Sequence, residues 1–453
     1  MPRRRTFVGG LVASAFISPS SALAGLLAVE RRPAETFTLS NGLQVIVLPS
    51  RRAPLVNQLL VYKVGGADEV PGYTGIAHFL EHMMFKGTAL IAPTEFSRTI
   101  SRSGGRDNAF TDFDSTGYHQ TIAADRLELV MRMEADRMAN LRLSEREMTP
   151  ERQVVLEERR MRVDNVPAEQ LEEAVREQLF GRNKPYAMPV SGYPDDVKRL
   201  TINDLATFYR RHYAPNNAVL IVAGDATVEE VRKLAEKYYG PVPRRAVEPR
   251  RRPSEGGPDL PQRVIRADAR VSEPRWARYY LAPSRRVGDT RHIHALQVLA
   301  RLLGGSETSR LSRRLVAEGR LALSAAAGYS PASLGLSTFG LWVHPTPQTT
   351  IVEIESVVAG ELKKLLDSGV TPQEVERAQN QLLSAAIYAR DSLASGPRLY
   401  ASALSTGGTI NDVEDWPQRI AAVTPAEVMA AAGHVWRDDR AVTSLLTSAE
   451  GNR

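Results

Sequence analysis

His78 and His82 stand four residues apart with Glu81 between them, in the run His78-Phe79-Leu80-Glu81-His82. Four residues is just over one helical turn, so on a helix both imidazoles project from one face and can share one divalent cation such as zinc. Glu81 follows His78 by three positions and falls in the same arc, where a carboxylate can take a proton from a water activated by that cation. Only eight histidines occur in 453 residues, so a pair flanking a glutamate is a concentrated signal. Ala77, Phe79, Leu80, Met83, Met84 and Phe85 supply the apolar packing such a helix needs, which frees the three polar groups for chemistry.

A catalytic zinc usually takes three protein ligands and leaves its fourth position open. Thr149-Pro150-Glu151 begins a strongly helical run through Met161, with Thr149 suited to cap it and Pro150 to its first turn. Glu151 and Glu158 are seven apart and share one helix face two turns apart. Glu157 points about 100° away from Glu158, so only one of that adjacent pair can aim at a metal.

The order H-x-x-E-H is the inverzincin signature. With the segment Gly72 to Thr88 and the glutamate helix, it resembles the pitrilysin (insulinase) family of zinc metallopeptidases, most closely the branch of mitochondrial processing peptidase and its bacterial relatives. The resemblance implies His78, His82 and Glu158 as ligands of one zinc ion per chain, Glu81 as general base and Glu151 as the partner supporting the ligands. Gly104 to Thr111, continuing through Thr116 and Tyr118, is similar to the family's active-site edge strand, along which an extended peptide adds as a further strand. Asn108, Ala109 and Phe110 would then contact the substrate. The implied activity is endoproteolysis of unfolded or short polypeptides; a non-catalytic core or scaffold subunit of the same fold is the alternative.

One part of the family pattern is missing. Self-sufficient members carry an arginine and a tyrosine seven residues apart, soon after a Ser-Arg-Leu segment. Ser309-Arg310-Leu311 is present here, but the expected pair falls on Val316 and Leu323, which can neither donate a hydrogen bond nor stabilise negative charge. Arg313 and Tyr329 are the local substitutes. The resemblance therefore implies the zinc-bearing subunit of a heterodimer, whose homologous partner supplies the Arg/Tyr pair.

The elements that must hold these residues form two similar halves. Residues 1–24 read as a signal peptide: Arg3 to Arg5 are a basic start, Phe7 to Ile17 a short apolar stretch, and Ala22-Leu23-Ala24 a cleavage site. Arg4-Arg5-Thr6-Phe7 also resembles a twin-arginine signal. A periplasmic location follows, by a route left open, with no membrane span. Residues 25–243 form the catalytic half, 244–261 a Pro/Gly/Arg-rich exposed linker, and 262–453 a homologous half without metal ligands. Aligning Gly87 with Gly305 sets Leu296, Leu299 and Ala300 opposite His78, Glu81 and His82.

Each half reads as strands followed by helices and a closing helix–strand pair. This mixed order predicts an α+β fold. The family resemblance implies two homologous halves, each a sheet with helices packed on one face, joined by the linker and facing across a chamber. The net charge is +6, of which Arg3, Arg4 and Arg5 supply three, and the remaining arginines are scattered among acids. That balance argues against nucleic acid as a partner. Cysteine is absent, which excludes disulfides and thiol chemistry.

Overall fold

The computed structural model describes residues 34–252 and 257–449; the expected signal peptide lies outside them. The first half builds a six-stranded sheet from β1 (Glu35–Thr38), β2 (Gln44–Pro49), β3 (Leu55–Tyr62), β4 (Arg106–Thr111), β5 (Thr116–Ala123) and β6 (Ala218–Gly224), in the order β1-β2-β6-β3-β5-β4. The second builds a five-stranded sheet from β7 (Gln262–Ala267), β8 (Arg275–Ala282), β9 (Ala322–Tyr329), β10 (Ser337–Pro345) and β11 (Val442–Thr447), in the order β7-β11-β8-β10-β9.

Without β1 the two orders correspond strand for strand. In each, only the first pair is parallel (β2 with β6, β7 with β11), and the remaining pairs are antiparallel. The helices correspond too. Ile76–Met83 and Ile293–Gly304 follow the equivalent strands β3 and β8, and Glu145–Arg159 and Pro372–Asp391 lie after β5 and β10. Ile202–His212 and Pro425–Val435 precede the closing strands, capped by Thr201 and Thr424 through capping boxes. The chain is an α+β protein of two homologous halves.

The halves interlock. Each sheet has its own helices on one face and borrows a helix from the other half for the opposite face. Helix Pro167–Phe180 lays Leu171, Val175 and Leu179 against Ala277, Tyr279, Val442 and Leu446 of the second sheet. Helix Ser395–Ser405 lays Tyr400, Ala401 and Leu404 against Ile46, Leu59, Val61, Val219 and Ile221 of the first. A sheet covered on both faces needs apolar side chains on both, which is why β6 reads Ala-Val-Leu-Ile-Val-Ala-Gly without alternation and is buried throughout.

Two arginines of the joining segment turn inward, contrary to what its composition suggests, while most of its described residues are exposed. The Arg252 side chain is buried and that of Arg250 largely so, and both pair with the buried carboxylates of Asp68 and Asp114 at 2.7–3.1 Å. Arg250 also donates to the Ser405 carbonyl at 2.8 Å, and Asp114 accepts from the Tyr186 hydroxyl and from the Leu334 N–H. Composition signalled a solvated strap because guanidinium groups usually face water. Here two carboxylates under the strap supply the compensation that burial of a charge requires.

Candidate metal centre

The helix Ile76–Met83 buries Ile76, Ala77, Phe79, Leu80 and Met83, leaving His78, Glu81 and His82 half-buried on its other side. Its N-terminus is fixed from outside. Gly75 has φ +83°, which favours glycine, and the buried Glu69 carboxylate accepts from the N–H groups of Gly75 at 2.7 Å and Ala77 at 2.9 Å. Burial raises the Glu69 pKa against those two hydrogen bonds.

The facing helix, Glu145–Arg159, starts earlier than the sequence suggested. Ser144 caps it by accepting from the Glu147 N–H, and Pro150 lies inside it. The helix then runs on through a π-helical turn, Arg160–Asp164, directly after Glu158. Such turns widen the helix locally and recur at functional sites.

Between these helices three donors converge. His82 Nε2 lies 3.1 Å and His78 Nε2 3.7 Å from Glu158 Oε2, and the set fits within 4.8 Å. Three donors around a tetrahedral zinc at ~2.05 Å stand about 3.3 Å apart, so these separations suit that ion with small side-chain adjustments. Two imidazole nitrogens and one carboxylate are also the donor set of catalytic zinc sites of the His2Glu type. Glu157, the open alternative, instead pairs with Arg160 on the exposed side. The residues fit zinc.

Their surroundings set protonation and orientation. His82 Nδ1 lies 2.9 Å from Glu151 Oε1, and Lys86 pairs with the other Glu151 oxygen. Burial disfavours a charged His82, but its contacts to Glu151 and Glu158 outweigh that and raise its pKa to about 9. Burial, reinforced by repulsion from His82, lowers His78 to about 4, and the hydrogen bond with His82 is the main cause holding Glu158 near about 2. His78 Nδ1 is buried without a hydrogen-bond partner, so the two imidazoles are held differently. Arg162 binds Glu158 Oε1 at 2.6 Å, leaving Oε2 for the histidines.

Glu81 is tied to the edge strand. The Thr111 hydroxyl, at the end of β4, donates to Glu81 Oε2 at 2.5 Å. Burial raises the Glu81 pKa, and the Thr111 hydrogen bond opposes the rise. β4 is the outermost strand of its sheet. Asn108 on it is exposed and its Oδ1 accepts from the Ala109 N–H at 2.8 Å; Ala109 packs on the first core and Phe110 faces helix Ser395–Ser405. Arg398 of that helix lies 4.7 Å over the Phe110 ring.

Sequence reasoning missed Thr111, Lys86, Arg162 and Glu69 as supporting groups. Lys86 and Arg162 each follow a predicted metal-site residue by four positions, a helical spacing that could have flagged them. No local signal connects Thr111 to Glu81. Val316 is half-buried, and Leu323 is exposed on β9. The local substitutes are engaged elsewhere: Tyr329 donates to the Pro283 carbonyl at 2.6 Å, and Arg313 faces Glu318 at 3.4 Å.

A duplicated α+β fold with a His2Glu centre and an adjacent carboxylate is a metallopeptidase architecture. The chain belongs to the insulinase family, peptidase family M16: residues 45–192 match that family's domain and residues 199–382 match the domain described as the peptidase M16 inactive domain. It is 29% identical over 415 residues to zinc protease PqqE of Helicobacter pylori, covering 91% of this chain and 92% of that one. A crystal structure of a protease from Helicobacter pylori matches with a TM-score of 0.84 and 28% identity, over 91% of this chain and 99% of that chain. The periplasmic protease PqqL from Escherichia coli shares the fold at a TM-score of 0.77 and 21% identity, with 92% of this chain matching 48% of that one. Among the described residues, no helix is long and apolar enough to cross a membrane.

Proposed function

We propose that this chain is a zinc-dependent endopeptidase that cuts extended polypeptides, with His78, His82 and Glu158 as ligands and Glu81 as general base. The observation that carries this reading is the convergence of those three donors beside a base that is hydrogen-bonded to the open edge strand. Zinc held there would supply Lewis acidity, polarising the scissile carbonyl and making a water acidic enough to ionise near neutral pH. Glu81 takes the proton released by the attacking water and delivers it to the leaving amine. Glu151 holds His82 with Nε2 free for the cation. Burial works against an ionised Glu151, but its hydrogen bonds with His82 and then Lys86 outweigh it and lower its pKa. The free edge of β4, at Asn108, Ala109 and Phe110, offers main-chain hydrogen bonds to an extended substrate largely irrespective of its sequence.

A heterodimer completes this reading. Among the described residues the second half offers no free Arg/Tyr pair, so a homologous subunit would provide the donors that position the substrate carbonyl. The match of this chain to about half of a longer protease supports a working unit of two such folds. Export to the periplasm rests on the reading of residues 1–24 and agrees with the described location of that neighbour.

Metal analysis of the purified protein alongside Glu81→Gln tests the enzyme. Stoichiometric zinc in both is expected, with peptidase activity only in the parent when each is assayed with a homologous partner subunit; no bound metal in the parent ends this reading. A scaffold subunit would hold zinc and show no activity with any homologous partner. Full turnover by the isolated chain would overturn the heterodimer while leaving the peptidase intact.

A further inference from the structure

The second half contains a cationic cavity between the helices that correspond to those of the metal centre. Helix Ile293–Gly304 packs on helix Pro372–Asp391, as Ile76–Met83 packs on Glu145–Arg159. Leu296, Leu299 and Ala300 are buried in apolar core, so no donor set survives there. Beside them, past the C-terminal end of Ile293–Gly304, opens a cavity of about 220 Å³. Arg301, Arg310, Arg313 and Arg377 line it together with Ser306 and Thr308.

Two of these four charges, Arg301 and Arg377, have no ion-pair partner among the described residues. Glu374 is the one carboxylate on the wall among the described residues, and Arg310 engages both its oxygens at 2.8 and 2.9 Å. Arg301 donates to the neutral Gln381 amide at 2.8 Å, and Arg313 has only the exposed Glu318 at 3.4 Å. Arg377 makes no ion pair among the described residues and lies in the second turn of its helix, far from the C-terminal end where the dipole would favour a cation. Arg301, by contrast, lies in a last turn where a cation is favoured, so Arg377 is the sharper signal. The Ser306 and Thr308 hydroxyls, 3.2 Å apart, can both turn to a ligand.

We infer that this cavity is a binding site for a phosphate-bearing anion. Guanidinium forks match phosphate oxygens in pairs, and hydroxyl donors complete the shell. The volume is below the range usual for whole drug-sized ligands, so it suits a phosphate or diphosphate group rather than the body of a larger molecule. The site shares no residue with the metal centre or the β4 edge.

Calorimetric titration of the zinc-loaded full chain with inorganic phosphate and with pyrophosphate, at constant ionic strength set by chloride, tests the inference. One saturable site per chain is expected, tighter for pyrophosphate. Arg377→Gln should weaken it at least tenfold, Arg377→Lys less, and Arg146→Gln, an exposed arginine outside the cavity, should match the parent. A parallel titration with a nucleoside triphosphate distinguishes free phosphate from phosphate carried on a larger molecule: tighter binding than pyrophosphate indicates the latter. Binding unchanged in both Arg377→Gln and Arg301→Gln would assign the anion to another site, such as the zinc, and overturn the inference. So would the absence of saturable binding. Arg377 is exposed, so its substitution is not expected to unfold the protein, and a thermal melt of each variant checks this.

Discussion

His82 and Glu151 are joined through Nδ1 and Oε1 at 2.9 Å, on the side of the imidazole turned away from Glu158. This contact decides which nitrogen of His82 carries a proton and therefore which one is available to a cation. Glu151→Gln keeps a hydrogen-bonding group but removes the charge that Lys86 and His82 share. Zinc affinity, read by chelator competition, should fall about 10–100-fold while the thermal melt of the metal-free protein changes little. Unchanged zinc affinity would show that Glu151 is merely a helix carboxylate.

Thr111→Val removes the hydroxyl that positions Glu81 and preserves the shape of β4. A hydrogen bond to a charged group is worth about 1.5–3 kcal/mol, so kcat should drop about tenfold or more. Zinc content should stay stoichiometric, because Thr111 touches none of the three donors. A loss of zinc with no separate fall in kcat would refute the assignment.

Gly117 lies opposite Phe110 in the β4–β5 ladder, and a methyl group there would run into the Phe110 ring. Gly117→Ala should therefore displace Phe110 from the substrate edge and lower kcat/KM for peptides while sparing bound zinc. Equal kcat/KM in parent and variant would remove Phe110 from the list of substrate contacts.

Arg252→Ala leaves Asp68 and Asp114 with Arg250 as their remaining guanidinium. Breaking a buried ion pair from one side costs about 3–5 kcal/mol, so the urea midpoint should fall sharply, whereas the exposed Arg251→Ala should fall within about 0.5 kcal/mol of the parent. Burial raises the Asp68 pKa, but Arg250 and Arg252 outweigh it and hold the group below its ordinary value. A depressed carboxylate contributes stability that is complete above its unfolded pKa of about 3.9 and is lost as pH falls through the folded value. The parent should therefore lose stability below about pH 4, and Arg252→Ala should flatten that acid dependence.

An edge-strand site accepts extended chain, so a stable folded protein should be cut far more slowly than its unfolded form. Equal rates, followed by gel electrophoresis, would contradict this.

The sequence alone determined the family motif and the duplication. His78, Glu81 and His82 lie within five consecutive residues, and helical periodicity is enough to place them on one face. The closing helix–strand pairs of both halves were legible for the same reason, because capping residues and apolar runs are local signals. Glu158 needed the family resemblance, since spacing alone left Glu157 open. Tertiary structure decided the rest. The Glu81–Thr111 hydrogen bond joins residues thirty positions apart, and the Arg250 and Arg252 pairs with Asp68 reach across more than 180. Composition could report that those arginines are charged, but only the fold could supply the buried carboxylates that allow them to leave water. The exchange of helices between halves was hidden for a related reason: periodicity shows that a helix has an apolar face, and which sheet that face covers is settled only when the chain packs.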